Sequence, residues 1–318
     1  MKKKILITGA GGFVGMHALN FIERQMPDTE VWACSRKLDP AAQKKYAFAK
    51  WVQIDMLDAL ALDTLVKKAQ PNFIIHLASA SSVGYSWQHP RESTLNNLNI
   101  YLNLLEAVRT HSKSSRVLSV GSSEVYGKVE AKDLPLKEEC TIHAASPYGV
   151  ARASQEALSN VYRDGYGVDI ISTRSFNHFG PGQDSRFALP SFARQIAEAK
   201  NKGHSRCHLK VGNIDVIRDF TDVRDVVEAY FLLLNQGTSG RVYNICSGKG
   251  QTLKDIIEMM GAYTQIALDL TVLPELVRPQ DLPIIVGSNH RLHQELGWLP
   301  RINFKDTVKG VMDEWTLK

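Results

Sequence analysis

Three glycines, Gly9, Gly12 and Gly15, follow the apolar run "KKILIT" and open a segment, "FVGMHALNFIE", whose apolar residues recur at helical spacing. A turn this tight from strand to helix leaves few architectures, because the helix must fold straight back over the strand it leaves. The rest of the first half keeps the rhythm. The β-branched runs "EVWACS", "WVQID", "NFIIHLAS", "RVLSVGSS" and "VDIISTRSF" are separated by stretches of helix length, which predicts an α/β chain with a Rossmann-like, doubly wound parallel sheet.

The pattern changes after Phe176. "NHFGPGQDS" collects turn residues, and helices then mix with shorter strands, as expected of a smaller mixed α/β domain. "VRDVVEAYFLLLN" and "RVYNIC" read as a helix and strand returning to the first domain, so the expected division is 1–175 with 219–246, and 176–218 with 247–318. In the last helix Phe304, Val308, Val311, Met312 and Trp315 share a face that predicts a core contact.

Composition narrows the function classes. A net charge of +5 over 318 residues, with no dense basic block beyond Lys2, Lys3 and Lys4, argues against nucleic-acid binding and leaves room for a basic cleft that takes a small anion. "FIIHLAS" and "YFLLL" are far shorter than the ~20 residues that span a bilayer, and the short apolar part of "MKKKILITG" predicts a buried strand rather than a signal peptide. The four cysteines, Cys34, Cys140, Cys207 and Cys246, form no CxxC pair, so a reducing cytoplasm is expected. "GHSRCHLK" brings His204, Cys207 and His208 together but lacks a fourth ligand at ordinary spacing, and no metal is expected.

Glycines at a strand–helix junction permit a tight turn, let backbone approach a pyrophosphate and open a helix N-terminus whose amides hold the anion, with Phe13 and Val14 in its first turn. The GxxGxxG spacing resembles that of the extended short-chain dehydrogenase/reductase superfamily. An acid at the end of the second strand would hold the ribose diol of NAD, but "ACSRK" places Ser35 and Arg36 there, with no acid before Asp39. A cation suits the 2′-phosphate of NADP, so NADP(H) is expected over NAD(H). The resemblance puts Asp55 and Met56 at the adenine, a helix N-cap being the competing role for Asp55, and Leu77 and Ala78 beside the cofactor after the fourth strand.

"SVGSSEVYG" brings Ser122, Ser123 and Glu124 to the carboxyl edge of the sheet, where ligands of such folds bind. In "SPYGVARAS", Ser146 reads as an N-cap and Pro147 as the first helical residue, so Tyr148 and Arg152 share a helix face. The resemblance implies that Ser122 hydrogen-bonds the substrate oxygen, Tyr148 exchanges the proton and the cation at 152 binds the nicotinamide ribose and favours the phenolate. That cation is a lysine in the superfamily. An arginine keeps the charge with a broader, planar geometry.

Nearly the whole chain resembles the GDP-4-keto-6-deoxy-mannose reductases, which make GDP-D-rhamnose, and more distantly the GDP-mannose 4,6-dehydratases. "GSSEVYG", "SPYGVARAS", "TRSFNHFGPGQ", "KVGNIDVIRDFTDVRDVVEAY", "VYNICSG", "RPQDLPIIVGS" and "LGWLPRI" carry it. It implies that Ser81, Ser82, Ser123, Asn177 and Val211 line the sugar-nucleotide site and that Arg218 and Arg278 hold the diphosphate, an ion pair with Asp219 or Asp222 being the rival role of Arg218. Asn97 resembles the asparagine that supports an active-site water chain. Glu124 stands where the dehydratases keep a glutamate base, in Ser-Ser-Glu instead of Thr-x-Glu.

The expected activity is NADPH-dependent reduction of the C4 ketone of a GDP-linked 4-keto-6-deoxy-hexose, in a cytoplasmic enzyme that the family would make a homodimer. A 4,6-dehydratase, an epimerase, a GDP-heptose dehydrogenase or reductase, and a nucleotide-sugar binding protein without turnover remain the alternatives.

Overall fold

The structure, a computed structural model, describes residues 2–277 and 282–318. Arg278 lies outside the described residues.

The first strand, β1 (Lys4–Thr8), carries Ile5, Leu6 and Ile7 with no exposed surface at all. A strand apolar on both faces needs helices on both, and the chain supplies them in alternation. It runs through α1 (Phe13–Gln25), β2 (Glu30–Ser35), α2 (Pro40–Lys45), β3 (Lys50–Gln53), α3 (Ala59–Ala69), β4 (Phe73–His76), α4 (Val83–Gln88), α5 (Pro90–His111), β5 (Arg116–Ser122), α6 (Pro147–Tyr166) and β6 (Asp169–Ser175). The second half continues with β7 (Asn177–Phe179), α7 (Ala188–Asn201), β8 (Arg206–Val211), β9 (Ile217–Asp222), α8 (Val223–Gln236), β10 (Val242–Ile245) and β11 (Gly250–Thr252). It ends with α9 (Leu253–Thr264), β12 (Ala267–Val272), β13 (Ile284–Ile285), α10 (His290–Leu296) and α11 (Phe304–Thr316).

Seven strands form one parallel sheet in the order β10-β6-β5-β4-β1-β2-β3. The chain winds outward in one direction from β1 and in the other from β4, so the crevice at their carboxyl ends is the topological switch point where such sheets bind ligands. One face is closed by Ala18, Leu19 and Ile22 of α1 against Val226, Val227, Tyr230 and Phe231 of α8. The other is closed by Leu62, Leu65 and Val66 of α3 with Leu104, Leu105 and Val108 of α5. Strand β10 pairs with β6 and α8 packs on α1, which is the return to the first sheet that "VRDVVEAYFLLLN" and "RVYNIC" predicted.

The second lobe is built around β9, flanked by β11 and β13 and also paired with β7, while β8 and β12 form a separate two-stranded sheet. Phe192, Ile196, Leu209, Ile256 and Met260 fill its core together with Val308, Val311 and Met312, and Phe304 and Trp315 pack half-buried against them. The expected apolar face of the last helix therefore serves this lobe.

Candidate active site

Gly9 has φ of 71° and a side chain there would sit 2.8 Å from the Ala78 backbone nitrogen, so the glycine turn and the loop after β4 touch through backbone. Thr8 locks the two together: its Oγ1 accepts from the amides of Leu77 and Ala78, each at 3.2 Å, and meets His76 Nδ1 at 2.9 Å. A Gly9→Ala variant is expected to lose at least about 1–2 kcal/mol, the cost of a left-handed residue with a side chain, read by chemical denaturation. A variant as stable as its parent would contradict this close approach.

Gly12 is the N-cap of α1 and no side chain caps that helix, so the first-turn amides face outward beside Phe13 and Val14. A side chain on Gly15 would come within 2.5 Å of the Ala10 carbonyl, so the third glycine lets the helix settle on its own turn. An uncapped helix N-terminus behind a glycine cradle fits a dinucleotide pyrophosphate.

At the end of β2, Ser35 Oγ donates to the Lys37 carbonyl at 2.7 Å and Arg36 is exposed. A side chain on Gly11 would meet Ser35 Oγ at 2.7 Å, which brings Ser35 beside the glycine turn. Asp39 caps α2 by accepting from the Ala41 amide at 3.0 Å. Asp58 caps α3, while Asp55 closes the preceding turn by accepting from the Leu57 amide at 3.0 Å. The N-cap role open to Asp55 therefore belongs to Asp58. Met56 is buried in the core, and its carbonyl accepts from Asn103 Nδ2 at 3.1 Å.

The reacting groups meet between β5 and α6. Ser146 accepts from the Gly149 amide at 3.0 Å, Pro147 occupies the first turn, and the helix ends at Gly167 in the left-handed region, which sets the phase of the face bearing Tyr148 and Arg152. Both are buried, at 7% and 6% exposure. Arg152 Nε donates to Tyr148 Oη at 3.0 Å, and one terminal nitrogen donates to the Val120 carbonyl at 3.1 Å and to Gln155 Oε1 at 2.5 Å. The guanidinium carbon lies 5.1 Å from the centre of the tyrosine ring. The guanidinium is thus a buried cation that donates to the phenol oxygen, and its other terminal nitrogen has no protein partner among the described residues, which fits a ribose hydroxyl.

Ser122 ends β5 and accepts from the Glu124 amide at 3.2 Å, an arrangement that leaves its own O–H free to donate. Glu124 Oε2 accepts from Ser146 Oγ at 3.4 Å, and a side chain on Gly149 would lie 2.7 Å from the Glu124 carbonyl, so the Ser123–Val125 turn is pressed onto the start of α6. His76, from β4, is held down to about 3 by burial and then by the Arg152 cation, so it stays neutral beneath the site.

Of the residues expected at the sugar, Ser81 is exposed and Ser82 caps α4 by accepting from the Tyr85 amide at 3.1 Å. Ser123 is buried in the turn after β5. Asn97 commits its amide to the loop after β4: Oδ1 accepts from the Ala80 amide at 2.8 Å and from Ser79 Oγ at 3.2 Å, while Nδ2 donates to the Ala80 carbonyl at 3.2 Å. Its role in this structure is to hold that loop.

In the second lobe Asn177 is exposed, with Nδ2 donating to the Asp219 carbonyl at 3.4 Å, and Arg218 stands near the start of β9 between Gln251 and Ile285. Arg218 also donates to the Ile217 carbonyl at 2.9 Å. Asp222, one of the proposed rivals for that arginine, pairs with Arg224 at 2.7 Å and accepts from Thr307 Oγ1 at 2.7 Å. Val211 corrects an expectation: β8 alternates exposed and buried, and Val211 falls in the buried phase with no exposed surface, so its side chain belongs to the lobe core and not to a ligand surface. The same alternation separates Cys207, buried, from His208, exposed and 3.4 Å from Asp269.

Sequence reasoning misses Thr8 and Gln155, and it offers Asp219 only as a partner for Arg218. Thr8 is marked only by its place before Gly9, and Gln155 only by its position about one helical turn beyond Arg152.

Known proteins resemble this chain over nearly its full length. A family model described as GDP-mannose 4,6 dehydratase matches residues 6–311. The GDP-6-deoxy-D-mannose reductase of Pseudomonas aeruginosa is 34% identical over 315 residues, covering 99% of this chain and 98% of that protein. The structure of RMD from Pseudomonas aeruginosa complexed with NADPH superimposes with a TM-score of 0.86 at 32% identity, covering 100% of this chain and 98% of the other. The UDP-glucose 4-epimerase of Thermus thermophilus, solved in complex with NAD, gives 0.87 at 25% identity, with 98% of each chain covered. A match of this extent, in a chain that sets a tyrosine and a cation together between β5 and α6, places it in the GDP-mannose 4,6-dehydratase family of extended short-chain dehydrogenases/reductases.

Proposed function

We propose that this chain is an NADPH-dependent reductase of the C4 ketone of a GDP-linked 4-keto-6-deoxy-hexose. The observation that carries the chemistry is the 3.0 Å bond from Arg152 Nε to Tyr148 Oη, made inside the protein one strand end from Ser122. The identity over nearly the full length with a GDP-6-deoxy-D-mannose reductase supports the substrate class.

When bound, the nicotinamide supplies the hydride. Ser122 donates its free hydroxyl proton to the ketone oxygen as a hydrogen bond, and Tyr148 protonates that oxygen as negative charge develops on it. Arg152 then holds the phenolate by charge and by the Nε hydrogen bond. The α1 N-terminus behind Gly12 takes the pyrophosphate, and Arg36 takes the 2′-phosphate. The lobe on the seven-stranded sheet holds the cofactor, and the lobe around β9, to which residues 219–222 belong instead of to the first domain as expected, holds the sugar nucleotide, with Arg218 at its diphosphate and Asn177 near the sugar. Exposed Leu95 on α5 and Val150 and Val161 on α6 supply apolar surface for a homodimer through the outer helices. No helix among the described residues is long and apolar enough to cross a membrane. All four cysteines are free, which supports a cytoplasmic setting.

The test is NADPH oxidation by the purified protein with the 4-keto sugar that a separate dehydratase makes from GDP-mannose. Rapid oxidation is the expected result. Silence there, with conversion of GDP-mannose itself to a 4-keto product, would make the chain a dehydratase. Arg36→Ala is expected to raise KM for NADPH about 10-fold, the worth of one charge-assisted bond to a phosphate, and to leave KM for NADH almost unchanged. An equal change for both cofactors would place the 2′-phosphate elsewhere.

A further inference from the structure

We infer that Gln155 is the positioning residue that lets an arginine serve at position 152: it engages one end of the guanidinium so that Nε is left aimed at Tyr148. This rests on Tyr148 as the proton donor proposed above.

An arginine has five donors and can turn any of them toward a neighbour, so a phenol oxygen alone would not select Nε. Here the selection is made from the far side. One terminal nitrogen of Arg152 is held by the Val120 carbonyl at 3.1 Å and by Gln155 Oε1 at 2.5 Å. Gln155 is itself fixed, because its Nε2 donates to Ser119 Oγ at 2.8 Å and to the Val120 carbonyl at 3.2 Å. Arginine can only donate and a carbonyl can only accept, so a single orientation of the amide satisfies both neighbours. Behind it Ser119 meets Ser159 Oγ at 3.4 Å, and Ser159 meets Tyr101 Oη at 2.6 Å, all within the protein interior. Gln155 is 2% exposed, so water cannot replace it.

The amide's neutrality matters as much as its reach. A carboxylate at this point would form an ion pair with Arg152 and compete with the tyrosine oxygen for its charge. The acid next in sequence, Glu156, is turned away and committed to Arg174 at 2.7 Å. A lysine has no second nitrogen to hold, so the amide is needed only with arginine.

His76 and Tyr230 beside this pair, and Tyr101 behind Ser159, keep their charge state through the neutral range. His76, from β4, is lowered to about 3 by burial and the Arg152 cation, Tyr101, from α5, is pushed up to about 12 by burial, and Tyr230, from α8, is pushed up by burial as well. The Glu124 carboxylate, in the turn after β5, accepts from Ser146 Oγ at 3.4 Å.

The experiment measures kcat and KM for the unsubstituted enzyme, Gln155→Leu, Gln155→Glu, Arg152→Lys and the double variant Arg152→Lys with Gln155→Leu. Gln155→Leu is expected to lower kcat about 10- to 100-fold, the scale of a misplaced catalytic group, with KM for NADPH within about 3-fold. Gln155→Glu, the same shape with a charge, is expected to lower kcat as Gln155→Leu does, because its carboxylate competes with the tyrosine oxygen for the guanidinium. In the lysine background Gln155→Leu should cost almost nothing. An undiminished kcat in Gln155→Leu, or an equal loss in both backgrounds, overturns the inference. A crystal structure of Gln155→Leu decides it without any substrate, since Arg152 Nε should leave Tyr148 and an unchanged bond would refute the role. Failure of the unsubstituted protein to oxidise NADPH would count against the reductase reading alone.

Discussion

Tyr148→Phe is expected to lower kcat for ketone reduction about 100- to 10,000-fold, the range that a positioned general acid contributes, while NADPH still binds. The substitution removes one oxygen and keeps the ring over which Arg152 lies, so the helix face, the guanidinium and its bonds to Val120 and Gln155 stay in place. What disappears is the bond that Nε makes to Tyr148 at 3.0 Å. Steady-state NADPH oxidation gives kcat, and quenching of the protein's fluorescence by NADPH gives affinity. A loss in kcat with unchanged affinity marks a group that acts in the transition state. A variant that kept a tenth or more of the parent kcat would move the proton donor elsewhere, with Glu124 the next candidate to test.

The largest effect on stability is expected from Asp219→Asn, which changes one atom. Asp219 has no exposed surface, and its two oxygens accept from the Ser247 amide at 2.8 Å, Ser247 Oγ at 2.6 Å, the Gly248 amide at 2.9 Å and the Gly287 amide at 3.2 Å. Burial pushes its carboxyl up, and these bonds oppose that shift. Asparagine must turn its NH2 toward one of the two donor sets, whichever way the amide is flipped, leaving buried N–H groups facing N–H. At 1–3 kcal/mol for each orphaned donor, the loss should be roughly 3–4 kcal/mol. Denaturant unfolding at pH 7 measures it. The loops at Ser247 and Gly287 are tied through this carboxylate to β9, next to Arg218, so KM for the sugar nucleotide should rise in the same variant with KM for NADPH less affected. A loss below about 1 kcal/mol would mean that water satisfies those donors.

The legible parts of this protein are those in which one short stretch decides its own conformation. The junction at Gly9 to Gly15, the β-branched runs, the Ser-Pro start of α6 and the apolar face of α11 are local patterns, each settled by sterics or by helical and strand periodicity. The pairing of Tyr148 with Arg152 belongs to the same class, since residues four apart on a helix share a face whatever surrounds them. Val211 shows where this fails. Alternation in β8 was readable, but which phase faces the core depended on α7, α9 and α11 packing on that side.

The sequence by itself determined the doubly wound sheet, the glycine turn and the helix face that carries the reacting tyrosine, because each follows from neighbours within a few residues. Only the tertiary structure decided what holds them in working order. Thr8 reaches Leu77 and Ala78 across β1 and β4, Asn97 returns from α5 to clasp Ala80, Gln155 meets Ser119 and Val120 of β5, and Asp219 gathers amides from two distant loops. Each is a polar group removed from water, and the partner that satisfies it is set by strand order and helix packing instead of by spacing along the chain.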